Sequence, residues 1–123
     1  MARTSAARAM SPKKRPVMSQ RILPLLSELR GGLQEIYEKR LRGLYLFGSY
    51  ARGEEDQESD VDVLVVLDDV EHYGAEVDRT SALTSTLSLQ YGVSISKVFV
   101  REREWRSHQT PFLANVQEEA IPT

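Results

Sequence analysis

"YLFGSYARGEEDQESDVDVLVVL", Tyr45 to Leu67, holds two apolar runs separated by a Gly-Ser pair, an acidic turn and two aspartates. "LRGLYLFG" reads as a buried strand ending at Gly48, with Leu44 and Leu46 facing one way and Tyr45 and Phe47 the other. "SYARG" fits one helical turn closed by Gly53, "EEDQES" a solvated turn, and "DVDVLVVL" a second buried strand. Residues two apart on a strand share a face, so Asp60 and Asp62 project together while Val61 and Val63 point into packing. Two carboxylates so placed repel, and each raises the pKa of the other unless a cation lies between them. Folding asks for no such pair at the mouth of an apolar strand.

A hard divalent ion resolves the conflict. Mg²⁺ takes a few carboxylates and completes its shell with water and phosphate oxygens. Gly48-Ser49, at the end of the preceding strand, permits close backbone approach and offers free N–H groups to a phosphate. Ser49 adds a hydroxyl and Arg52 a fixed positive charge. Gly48, Ser49 and Arg52 are therefore the candidate nucleotide-binding residues, and Asp60 and Asp62 the candidate catalytic and metal-binding ones. A phosphate seat beside a metal seat suits metal-assisted nucleotidyl transfer.

Outward from this stretch, Ile22, Leu25, Leu26, Leu29, Leu33, Ile36 and Tyr37 recur at helical spacing. Ser19 can cap that helix, Pro24 falls near its first turn, and Gly31-Gly32 predicts a kink or a division into two helices. "DDVEHYG" reads as a loop. Gly74 to Tyr91 is a second helix, with Leu83, Leu87 and Tyr91 four residues apart and Gly92 suited to ending it. "VSISKVFV" is a third strand by its β-branched content, and "REREW" and "TPFLANVQEEA" predict two short helices. The order is α-β-α-β-α-β-α. It predicts an α/β (α+β) fold with a mixed sheet of three or more strands flanked by helices.

The 123 residues suit one domain, and 41% hydrophobic with 28% charged residues is ordinary globular composition. Cysteine is absent, which excludes disulfides and thiolate zinc sites, and His72 and His108 lack ligand-like spacing. No apolar run approaches the roughly 20 residues that span a bilayer, so no membrane association is expected and the expected compartment is the cytoplasm. Residues 1–17 carry five basic side chains and no acid, an expected disordered leader ahead of a single domain over 18–123. Met18 is a candidate alternative start. Without that leader 11 basic residues face 18 acidic ones, a net charge of about −7 that does not suit direct nucleic-acid binding by the body.

"FGSYARGEEDQESDVDVLVV" resembles the minimal nucleotidyltransferase (MNT) branch of the DNA polymerase β-like nucleotidyltransferase superfamily. The match runs through Gly48, Ser49, Ala51, Arg52, Gly53, Ser59, Asp60 and Asp62 and is strongest over residues 44–67. The resemblance implies that Gly48 and Ser49 hold the triphosphate of ATP and that Asp60 and Asp62 bind Mg²⁺. The superfamily usually supplies a third carboxylate from a following strand. Here no acid lies between Asp78 and Glu102, and the candidate strand offers Ser94, Ser96 and Lys97.

By the same resemblance the partner is a HEPN-type ribonuclease toxin, onto whose tyrosine an MNT antitoxin transfers AMP. Few residues follow the third strand, so the acceptor site is expected to be completed by a second polypeptide or a second copy of this chain. Two further readings stay open: a catalytically degenerate antitoxin that neutralises by occlusion, and a small-molecule nucleotidyltransferase of the aminoglycoside type.

Overall fold

The computed structural model describes residues 20–123. The expected basic leader over 1–17 and the Ser19 cap lie outside the described residues. A 3₁₀ turn, Gln20–Ile22, leads into helix α1, Leu23–Tyr37. Strand β1, Leu41–Phe47, follows, then the single turn α2, Ser49–Arg52, and strand β2, Val61–Leu67. Helix α3 spans Tyr73–Tyr91, strand β3 Ile95–Arg101, and helices α4 and α5 Glu102–Ser107 and Pro111–Glu119. A two-residue strand β4, Ile121–Pro122, ends the chain's regular structure.

The sheet order is β3-β2-β1-β4. β1 pairs antiparallel with β2 and with β4, while β2 pairs parallel with β3, so the sheet is mixed as expected. Alternation along β1 and β2 divides the interior in two. Leu44, Leu46, Val61, Val63, Val65 and Leu67 pack against α1 and α3. Leu64, Val66, Tyr45 and Phe47 face the other way, against Trp105, Leu113 and Val116 of α4 and α5. Both faces of β2 are thus covered, which explains its unbroken apolar run.

Helix α1 is continuous through Gly31-Gly32, contrary to the expected kink. Gly32 is instead the point where α3 crosses: a Cβ there would meet Leu83 Cδ1 at 2.6 Å, whereas one on Gly31 would meet nothing within 4 Å. Gly31→Ala is expected to stabilise by about 0.5–1 kcal/mol through lower unfolded-state entropy. Gly32→Ala should lag behind it by about 1 kcal/mol or more, because Leu83 must give way. Thermal unfolding of the two variants checks the difference.

The weak periodicity of α3 has a specific cause. Its buried stripe is Glu76, Thr80, Thr84 and Leu87, three of them polar. Glu76 is only 4% exposed yet well partnered, accepting hydrogen bonds from Tyr37 Oη at 2.7 Å, Arg79 at 3.1 Å and Arg40 at 3.4 Å. The two threonine hydroxyls donate to carbonyls one turn back. Among the described residues no helix is long and apolar enough to cross a membrane.

Candidate active site

Gly48 leaves β1 with φ +77 and ψ −157, a region open in practice only to glycine. Its carbonyl accepts from the N–H groups of Ala51 and Arg52, and Gly53, left-handed at φ 72, closes the turn. A Cβ built on Gly48 would fall on the Asp62 carboxylate. The bare backbone of the turn and that carboxylate are therefore immediate neighbours, joined by the β1–β2 pairing of Phe47 with Asp62.

Asp62 lies on β2, half-buried, on the sheet face shared with Phe47. Asp60 stands just ahead of the strand, which starts at Val61, and is exposed. The pair is thus one strand residue and one loop residue rather than two strand residues. Burial pushes the Asp62 carboxyl above its ordinary range, and the neighbouring Asp60 charge pushes it further. The Ser96 hydroxyl and the Arg52 guanidinium act in the opposite direction. Parallel register sets Ser96 beside Asp62, so Ser96, and not Ser94, occupies the β3 position facing the carboxylates. Lys97 points to the opposite face, where its ammonium donates to Thr84 Oγ1 at 3.1 Å.

One further residue is present that the linear pattern did not reveal. Glu119 Oε2 accepts from the Gly48 N–H at 2.6 Å, and Arg52 Nη1 reaches its two carboxylate oxygens at 3.1 and 3.2 Å. Strand β4 explains the placement. With Leu46 opposite Ile121, two residues further along β1 and two back from β4 bring Gly48 and Glu119 together. Arg52 also bonds Glu54 at 2.9 Å, so its guanidinium lies between two carboxylates. The Gly48 turn therefore already presents an N–H and a cation to an anionic group.

Phe47, Gly48, Ser49, Arg52, Asp62 and residues of α5 line a common cleft of about 800 Å³. Among the described residues no three acidic or histidine side chains cluster as a complete metal-ligand set. A pair of carboxylates, one of them held above its ordinary range by burial and a like charge, nonetheless fits Mg²⁺. That ion is commonly bound by one or two carboxylates together with substrate phosphates.

The chain belongs to the nucleotidyltransferase domain family, whose model matches residues 26–121, and it is a nucleotidyltransferase. Two proteins of Methanocaldococcus jannaschii are similar over most of their length. "Putative protein adenylyltransferase MJ0141" is 31% identical over 96 residues, covering 78% of this chain and 92% of the relative. "Putative protein adenylyltransferase MJ0604" is 34% identical over 90 residues, covering 68% and 84%. Among solved structures, a "putative minimal nucleotidyltransferase" superposes with a TM-score of 0.50 at 27% identity, covering 81% of this chain and 93% of that one. A chain from the toxin–antitoxin complex MntA–HpeT has a TM-score of 0.51, covering 81% and 68%, and at 22% identity shares the fold.

Proposed function

We propose that this nucleotidyltransferase moves AMP from ATP, with Mg²⁺, onto a tyrosine of a partner protein in the cytoplasm. The partner we favour is a HEPN-type ribonuclease toxin, which the modification would silence. The observation that carries the reading is the Gly48 turn, whose N–H already holds an anionic group directly beside the Asp62 carboxylate. Names of the M. jannaschii relatives support a protein acceptor, and the MntA–HpeT neighbour supports a toxin as that protein. An acidic body also suits a basic, RNA-cleaving partner.

The chain's own residues divide the work. The Gly48 N–H and the Ser49 hydroxyl hold the triphosphate, which must first displace the Glu119 carboxylate. Arg52, released from Glu119, turns its free N–H groups to the phosphates. Asp60 and Asp62 would hold Mg²⁺, which supplies charge neutralisation at the triphosphate. A phenolic oxygen forms the new bond to the α-phosphorus, the bond to the β-phosphate oxygen breaks, pyrophosphate leaves and the phenolic proton passes to solvent. A phenol, with pKa about 10, needs less help from a base than an aliphatic hydroxyl. That fits a site in which Ser96 stands where a third carboxylate would face the pair.

The same Ser96 favours one alternative, an antitoxin that neutralises by occlusion without transfer. Intact mass of the toxin coproduced with this chain separates them. Transfer adds one AMP to a toxin tyrosine, and Asp60→Asn with Asp62→Asn removes it. A toxin neutralised with no added mass overturns the enzymatic reading in favour of occlusion.

A further inference from the structure

The cleft has a second half that phosphate binding does not use. Along α5, Phe112, Asn115, Val116 and Glu119 fall at positions i, i+3, i+4 and i+7, one face of the helix, and all four line the cleft with Gly48 and Asp62. Val116, with Leu113, is buried and anchors the helix to the sheet. Phe112 is not needed for that anchoring. It is 46% exposed, and its ring is set edge-on to Phe47, centroids 5.9 Å apart and planes at 82°. Asn115, one turn further on, is also exposed.

Glu119 supplies a ruler. Its carboxylate marks where the Gly48 turn takes an anion, and Phe112 lies seven residues away on the same helix face, about 10.5 Å at 1.5 Å per residue. A nucleotide spans that gap with its sugar and remaining phosphate. A large apolar ring held half in water, at nucleotide length from an anion seat, is a stacking platform for a base. An amide beside it offers one donor and one acceptor. That pair matches the N7 acceptor and N6 donor of adenine, whereas guanine presents two acceptors on the same edge.

We infer that Phe112 carries the nucleobase and that Asn115 selects adenine over guanine. Phe47 holds the Phe112 ring in place from below. The inference rests on the nucleotide reading of the Gly48 turn and adds to it the seat and identity of the base.

The test compares ATP, GTP and inorganic tripolyphosphate by titration calorimetry in Mg²⁺ on the full chain. The wild type should bind ATP more tightly than tripolyphosphate and more tightly than GTP. Phe112→Ala should weaken ATP by about 5- to 150-fold, the range for one base stack, and leave tripolyphosphate unchanged. Phe112→Leu, which keeps apolar packing on Phe47, should lose most of the same preference. Asn115→Ala should bring ATP and GTP to similar affinities. If the wild type binds ATP and tripolyphosphate alike, or Phe112→Leu leaves the ATP preference intact, the base seat is overturned while the phosphate site stands. Absence of binding by all three ligands overturns both.

Discussion

Exchanging Asp60 and Asp62 together for Asn should lower nucleotide transfer by at least about a thousandfold, since in the proposed mechanism the charge of the pair holds a divalent ion beside the triphosphate. The fold should not suffer. Burial and the Asp60 charge raise the Asp62 pKa, so the folded state prefers a proton there. The sign follows from linkage. Stability contributed by a protonated Asp62 is present at low pH and is lost as pH rises from the ordinary carboxylate range through the raised folded value. Neutral Asn removes that loss. Without metal, the double variant should therefore melt at the same temperature as wild type or higher at about pH 7, with the difference shrinking towards about pH 3. Transfer assays and metal-free melting curves read both halves. Wild-type transfer by the double variant would sink the two-aspartate mechanism.

Gly48→Val should be the most damaging single change at the phosphate seat. Any side chain there adopts a backbone region close to glycine-only, at a cost of about 1–3 kcal/mol. It also falls on the Asp62 carboxylate, so the proposed nucleotide seat and the proposed metal seat are disturbed together. Calorimetric affinity for ATP should drop by more than about tenfold, beyond the effect of Ser49→Ala, which removes one charge-assisted hydrogen bond worth about 1–3 kcal/mol. Equal losses in the two variants would mean that Gly48 serves only the turn.

Much of this architecture was legible because local chemistry and tertiary demand agree. The runs at Leu41–Phe47 and Val61–Leu67 read as strands because the second buries residues on both faces, while the first buries Leu44 and Leu46 on one face and half-buries Tyr45 and Phe47 on the other. Gly53 and Gly92 mark turn and helix ends because each adopts a left-handed conformation. The pairing of Gly-Ser with Asp-x-Asp was likewise readable, since close backbone approach and adjacent carboxylates depend on residue type and short spacing.

What stayed hidden depends on register between distant segments. Strand β4 has two residues, one a proline, and no local signal marks it; proline is tolerated there because β4 is an edge. Glu119 reaches Gly48 only through that strand, so nothing near Gly48 announces it. Ser94 and Ser96 could not be told apart until the pairing of β2 with β3 set Ser96 beside Asp62. Gly31-Gly32 read as a break because glycine disfavours helix, whereas Gly32 answers a crossing helix seen only in three dimensions.

The position of the label in ATP decides most directly what this site transfers. The wild-type chain and the proposed toxin partner would be incubated with Mg²⁺ and ATP carrying ³²P at either the α or the γ phosphate. Nucleotidyl transfer predicts that the partner acquires label from the α position alone, and that the Asp60→Asn, Asp62→Asn variant transfers none. Label arriving from the γ position, or α label undiminished in the variant, would contradict it.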